Sequence, residues 1–182
     1  MNPRLSLARL YLPASLRRRK LAELLRLTAR AFDAVPPPSE GLSLEDLRRL
    51  YAEFSRQAAE RALSRPDTLA ATEQSLFDGA LDLGREIGRE LRVSTPREVM
   101  AAARVLYRAL GIDLEGHPEG DIVVRRCSFS GLYSPAVCRV MSFVDAGVLA
   151  GLAGGGRLEF TARLTEGALC CRARFSLPEG DR

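Results

Sequence analysis

Breaks at proline and glycine are the feature that most limits what this chain can fold into. Proline cannot continue an α-helix, because its ring removes a backbone donor and clashes with the preceding turn. Pro36-Pro37-Pro38 and Pro66 interrupt the first half, while Ser43 and the pair Thr95-Pro96 have the chemistry of helix starts. Apolar residues recur at helical spacing between these breaks. The pattern predicts helices over about 15–35, from 43, over 67–91, and from 95 to Gly111.

The pattern changes after Gly111. Residues 112–115 and 121–128 are short, partly alternating stretches on either side of a turn-rich segment, which is typical of a β-hairpin. Ser134-Pro135 then begins another helix, which extends to about Ala153 and is ended by three consecutive glycines.

A second hairpin closes the chain. Apolar and polar residues alternate strictly over 157–164, Glu166-Gly167 turns the chain, and 168–176 runs back. The order of helices, hairpin, helix and hairpin predicts an α+β fold with a small antiparallel sheet packed on helices. We expect a single domain over 1–182, with a helical part (1–111), a hairpin-helix-hairpin part (112–176) and a tail (177–182).

Composition fits a soluble globular protein, with 46% apolar and 27% charged residues in a chain of 182. No apolar run approaches the ~20 residues of a membrane span, and the N-terminus lacks a signal-peptide pattern. We therefore expect a cytoplasmic protein with reduced thiols and no membrane span.

Positive charge is concentrated at the N-terminus. Residues 1–30 carry a net charge of +7, which leaves −3 for the rest of a chain whose total is +4. A run such as 17–20 could contact nucleic acid or an acidic partner. A solvated helix start is the simpler explanation, and we expect no nucleic-acid partner.

Four cysteines lie in the last third of the chain, at Cys127, Cys138, Cys170 and Cys171, with none before them. In a strand, Cys171 would share the inward face of Leu169, Ala173 and Phe175. Cys170 would share the outer face with Arg172 and Arg174, where two guanidinium groups would favour its thiolate.

The helix after Ser134 supplies a second pair of candidate residues. Cys138 and Asp145 are seven residues apart, so they lie on one helical face beside the apolar stripe, as suits the wall of a cleft. Gly147 and Gly151 are four apart and would allow another helix to pack closely there, as would Gly84 and Gly88 earlier in the chain.

The spacing of the cysteines does not favour a metal site. There is no C-x-x-C pair, and the sole histidine, His117, falls in a turn. Zinc or an iron–sulfur cluster remains an alternative, but we predict neither a metal nor another cofactor. Buried cysteines also serve as small hydrophobic residues, which is the simplest interpretation of each one.

The closing segment Leu164-x-Glu166-Gly167-x3-Cys171-x-x-Arg174-Phe175 resembles the end of the L-2-amino-thiazoline-4-carboxylic acid hydrolase family. Cys127, Cys138 and Asp145 occupy positions similar to a strand-end cysteine, a helix cysteine and a helix aspartate of that family. The gap between the last two is longer here. The order of elements is also similar to vinyl-reductase-type small-molecule-binding domains and TRAPP vesicle-tethering subunits. The resemblance covers about residues 121–176.

This resemblance implies a hydrolase that acts on a C–N bond of a small cyclic substrate. Cys138 or Cys127 would be the nucleophile or would anchor the substrate, and Asp145 would be a general base or orient water. The substrate would be bound near Cys170 and Cys171, with Arg172 or Arg174 holding a carboxylate.

Two other interpretations stay open. The protein could be a non-catalytic binding module for an apolar small molecule, with Gly147, Val148, Leu149 and Gly151 lining the pocket. It could also be an interaction subunit that pairs through a sheet edge or helix face, either with another protein or as a homo-oligomer.

Overall fold

A computed structural model describes residues 3–10 and 13–177. Over these residues the helices are α1 (Pro3–Leu10), α2 (Ala14–Ala31), α3 (Leu44–Leu63), α4 (Pro66–Leu91), α5 (Pro96–Ala109) and α6 (Pro135–Ala153). The strands are β1 (Ile112–Gly116), β2 (Asp121–Cys127), β3 (Arg157–Ala162) and β4 (Cys171–Ser176), with a 3-10 helix (Leu164–Glu166) before β4. The predicted α+β class is confirmed. Helix α1 precedes the first helix expected from the apolar pattern, and 178–182 of the predicted tail lie outside the described residues.

Three helices begin where their capping residues predict. The side-chain oxygen of Ser43 accepts a hydrogen bond from the backbone N–H of Asp46 at 3.1 Å. Thr95 accepts one from Glu98 at 3.3 Å, and Ser134 caps α6 in the same way. Each bond satisfies a donor that the first helical turn leaves unpaired, so these starts are fixed locally by sequence.

The strands form one antiparallel sheet in the order β1-β2-β4-β3. Each hairpin forms as predicted, and pairing of β2 with β4 joins the two. The return strand begins at Cys171 rather than near Ala168, because the 3-10 helix and Gly167, with φ of 86°, lengthen the turn. Leu169 therefore lies in a loop, 98% exposed, and does not share the inward face of Cys171.

Helices α4 and α6 pack closely through glycines. A Cβ at Gly84 would collide with the carbonyl oxygen of Val148, and one at Gly147 would collide with the carbonyl oxygen of Phe77. A side chain at Gly151 would meet the backbone nitrogen of Arg85 at 2.7 Å. The expectation of close helix packing at these glycines is confirmed, and it places α6 in the centre of the molecule.

Part of the basic N-terminal run is used inside the fold. The Nζ of Lys20 lies 2.6 Å from a carboxylate oxygen of Glu86, 3.4 Å from Glu90 and 3.3 Å from Glu23, and its side chain is 12% exposed. These contacts hold α2 against α4, because a largely buried ammonium needs carboxylate partners.

Helix α6 is also the one described helix that is long and apolar enough to span a membrane by length and composition, a property that the sequence analysis did not expect. In the structure, 56% of that window is buried inside the protein. The apolar composition of α6 is therefore used for contacts with α4 and with the sheet.

Candidate functional site

A cavity of about 90 Å³ lies between α6 and the inner face of the sheet. Its walls are mostly apolar, and they include Ile122 and Val124 of β2, Ala173 of β4 and Leu149 of α6. The helical part closes it with Leu24 of α2, Tyr51 of α3 and Tyr107 of α5. Both predicted parts of the chain therefore contribute walls to one partly enclosed space.

Three of the four cysteines line this cavity: Cys127 at the end of β2, Cys138 in the first turn of α6, and Cys171 at the start of β4. Cys170 does not. Elements that are distant in sequence thus bring together three of the residues that the sequence analysis singled out.

Two of these thiols are in environments that keep them protonated. Burial raises the pKa of Cys127 to about 12, and the negative charge of Asp145 adds to the effect. Burial also raises the pKa of Cys171, although its sulfur accepts a hydrogen bond from the backbone N–H of Leu164 at 3.3 Å. At neutral pH neither sulfur is therefore a ready nucleophile.

Cys138 has a different neighbour. The guanidinium of Arg163 places Nη1 3.9 Å from the Cys138 sulfur and donates to the hydroxyl of Ser142 at 2.6 Å. That hydroxyl donates in turn to the carbonyl of Cys138 at 2.7 Å. The guanidinium carbon also lies 4.0 Å from the centroid of the Phe160 ring. Arg163 is therefore held in place from several sides, and its side chain is 13% exposed.

The sequence does not predict the position of Arg163. The alternating pattern places it on the polar face of a strand, but β3 ends at Ala162 and Arg163 precedes the 3-10 helix. The change in backbone direction turns its side chain toward the cavity. The Glu166-Gly167 pair, which marks the turn, was the available signal that the alternation stops before this residue.

Asp145 lies on the cavity wall, as the helical spacing from Cys138 predicts. It accepts a hydrogen bond from the hydroxyl of Tyr107 at 2.7 Å. Burial raises the pKa of Asp145 to about 6, while the Tyr107 hydrogen bond and the charge of Arg163 lower it. Asp145 and Tyr107 also border a second cavity, of about 90 Å³, between α2, α4, α5 and α6.

Buried tyrosines supply polar groups that the sequence analysis did not identify. Tyr51 and Tyr133 line the cavity together with Phe129, whose ring stacks on that of Tyr133 with centroids 5.4 Å apart. The hydroxyl of Tyr133 is hydrogen-bonded to Ser55 of α3. Their spacing in helical and loop segments resembles ordinary core aromatics, so no local pattern marks them as lining a cavity.

The predicted carboxylate-binding arginines lie elsewhere. Arg172 and Arg174 are exposed on the outer face of β4, and Arg174 pairs with Asp121 at 2.8 Å. The strand alternation that turns Ala173 inward directs both arginines away from the cavity. Within the cavity, Arg163 is the arginine that contacts a predicted site residue, Cys138.

The glycines proposed to line a pocket also lie elsewhere. Gly147 and Gly151 face α4, and Val148 borders the second cavity. Of the four residues predicted to line a pocket, Leu149 is the one that lines the cavity under the sheet.

Over residues 3–10 and 13–177, no group of three or more His, Cys, Asp or Glu side chains is arranged to hold a metal ion. The three cavity thiols therefore share a space without forming a ligand set. Comparison of the chain with protein-family models, curated proteins and solved structures gave no match.

Proposed function

We propose that this protein binds a small, mainly apolar molecule in the cavity between α6 and the sheet. The observation that carries the proposal is a partly enclosed, mainly apolar space into which a few polar groups converge, which is the usual form of a small-molecule site. Two of its thiols are protonated at neutral pH, which favours binding over thiol chemistry at those positions.

The size and polarity of the cavity limit the ligand. Its volume of about 90 Å³ is smaller than the ~150 Å³ of an apolar cavity known to hold benzene, so it suits one end of an aliphatic chain, the rest of which would extend out of the cavity. Asp145 and Arg163 place opposite charges on the same wall, where they can orient one polar group of that ligand.

Filling the cavity tests the proposal. Ala173 points into the space from β4, so Ala173→Leu should occupy the volume and Ala173→Val should occupy part of it. Saturation-transfer NMR with hexan-1-ol should give a signal for the unmodified protein that falls in the Val variant and disappears in the Leu variant.

Ala71→Leu, at an exposed position of α4 outside the cavity, is the matched control and should leave the hexan-1-ol signal unchanged. Circular dichroism establishes that each variant is folded. No signal with the unmodified protein, or an equal signal in all folded variants, would contradict binding in this cavity.

A second candidate is hydrolysis of a C–N bond, as the resemblance to the thiazoline-carboxylate hydrolases implies. The Cys138–Arg163 contact favours it, since a cation beside a thiol is typical of nucleophilic cysteines. The sulfur would add to the substrate carbon, the nitrogen would leave with a proton, and water would then cleave the C–S bond and restore the thiol. Asp145 lies seven residues along α6, about 10 Å of helical rise away, so its carboxylate is not placed to take a proton from the sulfur directly.

Replacement of the sulfur nucleophile tests this candidate. Cys138→Ser should lower consumption of 2-amino-thiazoline-4-carboxylic acid, followed by mass spectrometry, by at least about a thousandfold. Cys170→Ser, outside the cavity, should retain the rate. If the unmodified protein consumes no substrate, or Cys138→Ser is as active as the unmodified protein, Cys138 is not a catalytic nucleophile for this reaction.

A further inference from the structure

An open groove at the β1 edge of the sheet adjoins the cavity. The groove, with a volume of about 1020 Å³, runs between α5, β1 and the residues at the end of β2. It shares five lining residues with the cavity, namely Ile112, Leu114, Cys127, Ser130 and Leu164. A molecule that extends out of the cavity past these residues would therefore enter the groove.

The groove is rich in arginine, and two of its arginines already have partners. Arg125 contacts Glu115 with a nitrogen-to-oxygen distance of 3.1 Å, and Arg126 approaches Asp113 at 4.0 Å. All four residues line the groove. The positive and negative charges within each pair largely cancel, so these four residues contribute little net charge to the groove.

The other two arginines of the groove are unpaired. Arg104 and Arg108 are four residues apart on α5, so they project from the same helical face one turn apart. Neither forms a hydrogen bond or ion pair with any side chain in the described ranges, and the Nε of Arg104 is buried without a partner. Two guanidinium groups on one helical face without carboxylate partners leave net positive charge in this part of the groove, which favours an anion there.

We propose that Arg104 and Arg108 bind the carboxylate of an amphipathic ligand whose apolar part enters the cavity. This inference rests on the proposed binding function and names the class of ligand. The planar fork of an arginine matches a carboxylate with two parallel hydrogen bonds.

Three probes separate the two parts of the site: hexanoate has chain and charge, hexan-1-ol has the chain alone, and acetate has the charge alone. In NMR titrations, hexanoate should bind about tenfold more tightly than hexan-1-ol, as expected for hydrogen bonds to a charged group, and acetate should bind most weakly.

The double variant Arg104→Gln/Arg108→Gln should reduce the affinity for hexanoate to that for hexan-1-ol and leave the latter unchanged. The matched control Arg125→Gln/Arg126→Gln removes the same charge from the same groove and should keep the tenfold difference. Single variants of Arg104 and Arg108 show which guanidinium dominates, should the double variant fail to fold.

Each other outcome overturns the inference. Equal affinity of the unmodified protein for hexanoate and hexan-1-ol, or an equal loss in both double variants, removes the specific anion site and leaves cavity binding standing. Acetate binding as tight as that of hexanoate shows that the groove does not act together with the cavity. If neither six-carbon probe binds, the proposed function fails as well.

Discussion

Asp145 is the residue whose chemistry depends most on its surroundings. Its carboxyl has one hydrogen-bond donor, the Tyr107 hydroxyl, and otherwise faces a largely apolar wall. Burial raises its pKa from 3.8 to about 6, so the group carries its charge at neutral pH at the expense of folding free energy. Such costs are common at binding sites, where function and stability compete.

The pKa of Asp145 predicts how stability depends on pH. Between about pH 4 and 6 the folded protein holds this proton more tightly than the unfolded chain, so the contribution of Asp145 to stability falls as pH rises through that range. Asp145→Asn should therefore raise the free energy of unfolding at pH 7.5 by ~1–3 kcal/mol and give little gain at pH 4. Urea unfolding at both pH values measures the difference.

The surface residue Asp82 provides the control, because its carboxylate is exposed in a single ion pair on α4. Asp82→Asn should change stability by less than ~1 kcal/mol at either pH. A gain for Asp145→Asn that is the same at pH 4 and pH 7.5 would show that the carboxyl charge is not its cause.

At the scale of elements, the contact between α4 and α6 organises the fold. The helices approach until backbone meets backbone, at Gly84 on α4 and at Gly147 and Gly151 on α6. This approach leaves the opposite side of α6, with Cys138, Leu149 and Asp145, free to face the space under the sheet and α5. The glycines therefore set the position of the cavity wall without being part of it.

A pair of glycine substitutions tests this packing with effects of opposite sign. A methyl group at Gly151 would collide with backbone atoms of α4, so Gly151→Ala should destabilise the protein by ~1–3 kcal/mol. At Gly79, also within α4, an added Cβ would meet Leu27 at an ordinary 3.6 Å, so Gly79→Ala should stabilise by ~0.5–1 kcal/mol. Chemical denaturation of both variants gives the comparison, and destabilisation of similar size at both positions would contradict the packing argument.

At the scale of the whole molecule, the site is an interface between the two predicted parts of the chain. The helical part contributes Leu24, Tyr51 and Tyr107, and the hairpin-helix-hairpin part contributes the cysteines, Asp145 and Arg163. Neither part encloses the cavity alone. A ligand in this position contacts both, so its binding would stabilise the assembled domain in proportion to its occupancy.

Local sequence was sufficient for most of the elements. Helix starts at Ser43, Thr95 and Ser134 follow from side chains that cap backbone donors within three residues. The α+β class follows from a change in apolar period at Gly111. On the site, spacing alone placed Cys138 and Asp145 on one helical face, because the helical period is fixed.

Tertiary structure decided which of the candidate residues meet. Cys127, Cys138 and Cys171 line one cavity because β2 pairs with β4 and α6 packs beneath them. Arg172 and Arg174 are turned outward, while Arg163 turns inward where β3 ends, and the alternating pattern alone does not distinguish these three arginines. Local periodicity depends on neighbours a few residues away, so the sequence determined most of the elements and the faces of most residues within them. The enclosure of the cavity, the pKa of Asp145 and the partner of Cys138 depend on contacts between distant segments, and only the tertiary structure decided them.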